Sequence, residues 1–144
     1  IFLDHLSILV SGQEEGDERK SIDILMTKLR SLVEQTGVGL ILVSHLRRPS
    51  GDAGHENGRE VTLSHLRGSA SIAHLSDGVI ALERNQQAED DVASNTTTIR
   101  ILKNRYTGDT GIATHLFYDK ESGRMKEIDN PYEVDDNDGE EITF

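Results

Sequence analysis

Apolar residues follow two different periods along this chain of 144 residues. From Asp17 to Thr36 they recur every three or four positions, which predicts an amphipathic helix that stops at Gly37. Four other stretches are apolar throughout or alternate with polar residues, as strands do: "VGLILVSH", "GVIALE", "TTTIRILKN" and "ATHLFYD". The opening "IFL" is typical of the end of a buried strand, and "TLSHLRGSASIAHLSD" of a short helix or a helix plus loop. This order of elements predicts an α/β sheet with mixed edges.

Composition and charge narrow the class of protein only in part. Cys is absent, which excludes disulfides and thiolate metal sites, and no apolar run reaches the roughly 18 residues of a membrane-spanning helix. The net charge of −11 would argue against nucleic-acid binding, but residues 129–144 hold seven acids and no Lys or Arg. We therefore predict one domain over residues 1–128 and an acidic tail without fixed structure over residues 129–144.

Polar residues stand where the first two predicted strands end. Asp4 follows the first apolar run, and His45 ends the second. Because ligands collect at the carboxyl ends of strands in open α/β sheets, both are candidates for one site. An apolar strand ending in Asp has the form of a Walker B element, which directs a carboxylate toward a phosphate-bound Mg²⁺, and His45 could sense a terminal phosphate nearby. The alternatives are a loop-capping carboxylate and a hydrogen-bonded structural histidine.

Basic residues mark two further candidate sites. Lys103 and Arg105 lie two apart in "RILKNRYTGDTG", where Arg105 enters a Gly-rich turn that would carry its charge away from the body. Such a cation suits an arginine finger, and a solvated edge strand is the alternative. In "HLRGSASIAHLSD", Arg67 and the small residues after it could hold a nucleic-acid phosphate, or the stretch is a plain helix start.

Taken in order, five segments resemble the helicase domain of replicative ring helicases with a RecA-type core, the DnaB-type enzymes, and in particular the fused primase–helicases of short-tailed bacteriophages. The segments are "IFLDHLSILV", "DERKSIDILMTKLR", "TGVGLILVSHLR", "LRGSASIAHLSDGVIALERNQQ" and "RILKNRYTGDTGIATHLFYDKESG". The resemblance implies a RecA-like P-loop NTPase core whose sheet is mostly parallel, with antiparallel hairpin strands on the C-terminal side. It also implies a protein of the bacterial or phage-infected cytoplasm that uses Mg²⁺ with ATP or dTTP, binds single-stranded DNA and assembles into a ring, expected to be a hexamer.

The resemblance assigns nucleotide chemistry to four residues. Asp4 would be the Walker B carboxylate that holds Mg²⁺ through water, and His45 the sensor that passes the state of the γ-phosphate to the DNA loops. Arg105, supported by Lys103, would be the arginine finger that enters the site of the neighbouring subunit.

Base, DNA and partner contacts are also implied by the resemblance. Arg84 and Tyr118 would flank the nucleotide base, one by cation–π contact and one by stacking. The acidic tail would dock on the replicative DNA polymerase, with Phe144 as its apolar anchor, although composition alone favours an unstructured solubilising tail. The residues implied to line the central DNA channel are Arg47, Arg48, Arg59, Arg67, Gly68, Ser69 and Ser71.

The P-loop of that family, G-x-x-x-x-G-K-[ST], is missing from the 144 residues, since "SGQEEGDERKS" has neither its spacing nor its ending. The catalytic Glu expected upstream of Walker B is missing too. We therefore expect a C-terminal piece of a longer helicase without the P-loop strand and helix, and expect these residues alone to hydrolyse no NTP. The alternatives are a RecA-like recombinase or clock-type ATPase, and a non-catalytic remnant or partner-binding module.

Overall fold

The computed structural model describes residues 1–10, 15–47, 54–68 and 70–132. Its helices are α1 (Glu15–Thr36), α2 (Ala70–Leu75) and α3 (Asp91–Ser94), with 3₁₀ turns at Leu6–Val10 and Leu63–His65. Its strands are β1 (Phe2–Leu3), β2 (Ile41–Leu42), β3 (Gly78–Glu83), β4 (Thr96–Asn104), β5 (Gly111–Asp119) and β6 (Arg124–Ile128).

The long helix α1 organises the largest apolar cluster. Its buried residues Ile22 and Met26 lie about one turn apart and pack with Leu6, Val10 and Ile72, which come from the first 3₁₀ turn and from α2. Each such side chain contributes about 2 kcal/mol when it is buried. The predicted helix is confirmed, and it fixes both the segment after β1 and the start of α2 against one surface.

The described strands form two separate sheets. β1 and β2 pair in parallel, with Phe2 opposite Ile41 and Leu3 opposite Leu42, whereas β3, β4, β5 and β6 form an antiparallel sheet in that order. The described residues therefore show the antiparallel hairpin strands that were predicted on the C-terminal side, but they do not show a mostly parallel sheet. Antiparallel strands pair through short turns between neighbours in sequence, but a parallel strand needs a partner from further away. Among these residues only β1 and β2 find such a partner.

Two strands are less covered than their apolar sequences predicted. The run "VGLILVSH" forms a strand only at Ile41–Leu42, where Ile41 is 55% exposed and Val43 45% exposed. On β3, Ile80 and Leu82 are 64% and 67% exposed. Apolar runs of this kind are typical of strands covered on both faces, but the described residues pack against one face of each strand only.

The covered face of the antiparallel sheet is polar. Glu83, Thr98 and His115 occupy paired positions on β3, β4 and β5, and all three are buried. Glu83 Oε1 accepts hydrogen bonds from Val61 N–H and from Arg100 Nε, both 2.8 Å long, while Thr98 Oγ1 lies 3.1 Å from His115 Nδ1. The Glu83 carboxylate raises the pKa of Arg100 above its usual value. The buried charge is thus paired within the sheet.

Within the described ranges, no helix combines the length and the apolar character that crossing a bilayer requires.

Candidate functional site

The parallel pair β1–β2 brings Asp4 and His45 to one edge of its sheet. Asp4 follows β1 directly, and His45 comes three residues after β2 ends. Hydrogen bonds from Val43 N–H to Leu3 O (2.9 Å) and from Leu6 N–H to Val43 O (3.0 Å) continue the pairing beyond the strands. Both predicted site residues are exposed. They lie at the carboxyl edge, where ligands of α/β sheets bind.

His5 is a third group at this edge, and the sequence did not single it out. Its imidazole meets that of His45 edge to face, with ring centroids 4.1 Å apart and ring planes at 63°. His5 Nδ1 is buried and has no hydrogen-bond partner among the described residues. The ring of the predicted phosphate sensor is therefore packed against the residue that follows Asp4. Adjacency to Asp4 was the signal that could have identified His5.

The two predicted DNA loops are joined at their bases. Arg47 N–H donates to His65 O (2.7 Å) and Arg67 N–H donates to His45 O (3.0 Å), on either side of an isolated antiparallel bridge. The main chain of His45 is therefore bonded directly to the second loop. Arg47, Arg59 and Arg67 are exposed. Exposed cations on adjoining loops suit the phosphates of one nucleic-acid strand.

His65 closes the turn between these loops. Thr62 N–H donates to His65 Nδ1 (3.2 Å), so that nitrogen carries no proton in this arrangement. Burial lowers the pKa of His65 below its usual 6.5, and His55, Arg59 and Arg47 lower it further. The hydrogen bond from Thr62 requires a neutral imidazole, and the positive charges around His65 favour the neutral imidazole as well.

Gly68 packs the second loop against α1. Its φ of +106° lies in the region that side chains disfavour, and a Cβ there would collide with the tip of the buried Ile22 side chain. Arg19 Nε on α1 donates to Gly68 O (3.3 Å). Ser71, near the start of α2, is half-buried. The close approach explains why glycine stands at this predicted DNA-binding position.

Lys103 and Arg105 both contact the carboxyl end of α2. Lys103 Nζ lies 2.6 Å from Ala73 O and 3.3 Å from His74 O, and Arg105 Nη2 lies 3.0 Å from His74 O. Cations are favoured there because the last carbonyls of a helix carry partial negative charge. Arg105 also pairs with Asp77, 3.1 Å away, and its side chain is 44% exposed. The turn was expected to carry the charge of Arg105 away from the body, but the side chain is bound to Asp77 and to α2.

Arg84, which follows β3, and Tyr118 on β5 contact the same residue. Arg84 donates to Ser94 O (2.7 Å) and to Asn95 Oδ1 (3.2 Å), and Tyr118 N–H donates to Asn95 O (2.9 Å). Arg84 is half-buried, and Tyr118 is 37% exposed. The described lining of a cavity of about 290 Å³ includes Arg84 and the buried Glu83, but not Tyr118. A base between these two side chains stays a prediction.

A metal at this site would depend on one carboxylate. Among the described residues, no group of three or more His, Cys, Asp or Glu side chains is placed to hold a metal ion. Asp4 nevertheless fits Mg²⁺, because that ion commonly binds one or two carboxylates and takes its other ligands from phosphate and water. The predicted residues Arg48, Ser69 and Phe144 lie outside the described part of the chain.

Comparisons with known proteins place the chain beside DNA helicases. Residues 1–127 match the family model of the DnaB-like helicase C-terminal domain. Over 126 residues the chain is 51% identical to the DNA helicase/primase of Enterobacteria phage T3, in an alignment that covers 88% of this chain and 22% of that protein. The chain therefore spans a small part of the length of the relative it matches.

Proposed function

The chain belongs to the family of DnaB-like helicase C-terminal domains, and from that premise we propose that it is part of a replicative, ring-forming DNA helicase. The enzyme hydrolyses ATP or dTTP between neighbouring subunits and uses the hydrolysis to move along single-stranded DNA and separate the duplex. The main-chain hydrogen bond from Arg67 N–H to His45 O, 3.0 Å long, carries the proposal. It joins the edge that faces phosphate to a loop that faces DNA.

The nucleotide half of the mechanism begins at Asp4. Its exposed carboxylate, at the end of β1, would hold Mg²⁺ through water. The ion would neutralise charge on the nucleotide phosphates. No P-loop stands within these 144 residues, so in this proposal another segment of polypeptide cradles the β- and γ-phosphates.

The sensing step falls to His45. Its side chain lies at the edge beside Asp4, and its carbonyl accepts the hydrogen bond of Arg67. A change in the position of His45 when the γ-phosphate leaves therefore pulls on the base of the second DNA loop. The first loop follows, because Arg47 is hydrogen-bonded to the segment that precedes Arg67. Both loops then shift together on the bound strand.

The stabilising charge comes from Arg105 of the adjacent subunit. An arginine finger neutralises the phosphoryl group as it transfers, and Lys103, on the same end of α2, supports its position. Arg84 and Tyr118 flank the base. Because each site takes parts from two subunits, hydrolysis depends on assembly.

The acidic tail is assigned to contact with a partner protein. Residues 1–128 form the helicase portion, and the acidic residues 129–144 dock on basic patches of the replicative DNA polymerase, with Phe144 as the apolar anchor. This arrangement would hold the polymerase near the DNA that the ring unwinds.

Mixed rings test the division of the site between subunits. In the complete gene product, Asp4→Asn and Arg105→Ala should each lower the NTPase rate by about 10³-fold or more. When the two variants are mixed one to one before assembly, about a quarter of the subunit contacts should join an intact Asp4 to an intact Arg105. The mixture should recover a comparable fraction of the wild-type rate, measured without DNA so that translocation does not limit it.

The exposed cation Arg124 on β6 provides the matched control, since Arg124→Ala removes the same charge outside the proposed site. Its NTPase rate should equal that of the wild type. If the mixture stays as slow as the separate variants, the site is not shared between subunits. If Arg105→Ala keeps the wild-type rate, the finger assignment is wrong.

A further inference from the structure

Asp77 connects the proposed arginine finger to the long helix α1. It lies between α2 and β3, and its carboxylate oxygens are 2.9 and 2.8 Å from Arg30 Nη1. Arg105 Nη1 lies 3.1 Å from Asp77 Oδ1, and Arg105 N–H donates to Asp77 O (2.8 Å). One residue thus holds both the main chain and the side chain of Arg105.

The contacts around Arg105 fix the plane of its guanidinium. Nη1 is bound to Asp77 and Nη2 to His74 O. A guanidinium carries five N–H donors, so about three have no partner among the described residues. With two nitrogens fixed and 44% of the side chain exposed, those donors keep one orientation toward solvent.

The charges around Arg105 leave part of its positive charge uncancelled. Asp77 is shared between Arg30 and Arg105, so its negative charge does not cancel that of Arg105 alone. Arg30 is paired in addition with Glu34, whose oxygen lies 2.7 Å from Arg30 Nε. The hydrogen bonds that Arg30 donates to the Glu34 and Asp77 carboxylates raise the pKa of Arg30. The group therefore orients Arg105 and leaves positive charge for an anion.

We propose that Asp77 is the positioning residue for Arg105, holding the guanidinium so that its remaining donors meet the phosphates bound to the neighbouring subunit. This inference rests on the proposed function. The gain is preorganisation: an oriented guanidinium stabilises charge in the transition state without first losing side-chain freedom. Without Asp77, Arg105 still bears its charge but samples other rotamers.

Substitution of Asp77 by Asn in the complete gene product tests the proposal. We expect kcat for NTP hydrolysis to fall about 10-fold while KM changes less than about twofold, since Arg105 acts on the transition state. The matched control is Glu34→Gln, which removes the same charge from Arg30 but touches nothing on Arg105, and it should leave kcat unchanged. In an Arg105→Ala background, Asp77→Asn should cause no further loss, because the two residues act as one unit.

Two measurements separate positioning from a structural role. Arg30→Gln breaks the same tether to α1 but keeps the Asp77–Arg105 pair, so it should lower the unfolding midpoint as Asp77→Asn does and leave kcat within about twofold. In the 144-residue chain, phenylglyoxal should modify Arg105 several-fold faster in Asp77→Asn than in the wild type or Glu34→Gln. A kcat of Asp77→Asn equal to that of Glu34→Gln, with Arg105→Ala inactive, overturns this inference and leaves the proposed function standing. Full activity of Arg105→Ala overturns this inference together with the finger assignment.

Discussion

Replacing Gly68 with Ala should destabilise the fold through two separable effects. Gly68 has φ of +106°, and a Cβ there would collide with Cδ1 of Ile22, a side chain that is only 1% exposed. A positive φ costs an alanine about 1–2 kcal/mol. Crowding in a packed cluster costs about 1 kcal/mol or more, although the tip of an isoleucine can yield to some extent. The sum is roughly 2–3 kcal/mol of unfolding free energy, or about 8 °C in Tm for a chain of this size.

Two other glycines serve as controls that separate the backbone cost from the crowding cost. Gly108 has φ of +79° with open space around it, so Gly108→Ala should show only the backbone cost, about 1–2 kcal/mol. Gly39 has no positive φ, and the methyl group of an alanine there would have no neighbour within 4 Å. Gly39→Ala should therefore change stability by less than about 0.5 kcal/mol. Urea unfolding followed by circular dichroism would rank the three variants.

A double variant identifies the colliding atom. Ile22→Val removes Cδ1 and should cost about 1 kcal/mol in the wild-type background. In the Gly68→Ala background it should cost nearly nothing, because it also relieves the collision, and the difference is the coupling energy of the pair. If Gly68→Ala is no worse than Gly108→Ala, the crowding argument is refuted. If it matches Gly39→Ala, the backbone argument is refuted as well.

Two further predictions concern buried charge and pH. Arg100→Met leaves the Glu83 carboxylate, 7% exposed, without its cation, and should lower the free energy of unfolding by about 3 kcal/mol at pH 7. Adding Glu83→Gln should restore part of that loss in the same urea titration. An Arg100→Met variant as stable as the wild type would contradict the pairing. For His65, the lowered pKa means that the unfolded chain binds more protons, so stability is fully present above pH 6.5 and is lost as the pH falls through the folded pKa. Hydrogen exchange of the Arg47 amide, corrected for its intrinsic pH dependence, should therefore accelerate as the pH falls from about 7.5 to 5 in the wild type and not in His65→Gln. An NMR titration that places the pKa of His65 at or above 6.5 would rule this out.

Local patterns were sufficient for the elements that depend on neighbours in sequence. The period of α1 and the strand patterns of β3, β4 and β5 predicted their positions to within a few residues, because a helix face and a hairpin are both built from nearby residues. The resemblance to DnaB-type ring helicases is confirmed by the family match over residues 1–127. Of the mostly parallel sheet that was predicted, the described residues show only the pair β1–β2, and pairing between distant strands leaves no local period in the sequence.

The residues of the candidate site also differ in whether the sequence could predict their position. Asp4 and His45 could be placed at one edge because the ends of parallel strands meet there by topology. Asp77 could not be identified from the sequence. Its contacts with Arg30, 47 positions away, and with Arg105 depend on how the chain folds and not on a local pattern. The contact of His5 with His45 is likewise a property of two strands, not of either one.

In the proposed helicase, α2 connects the loop proposed to bind DNA with the proposed finger. α2 starts just beyond the second predicted DNA loop, whose base is bonded to His45, and it ends on the two cations Lys103 and Arg105. A helix of six residues is about 9 Å long and moves as one body unless it unfolds. Under the proposed function, a displacement of this loop by DNA would either carry the His74 carbonyl away from Arg105 or move Arg105 with it. Asp77, which is paired with Arg30 of α1, also holds Arg105, so the guanidinium has one anchor on α2 and a second that is tied to α1.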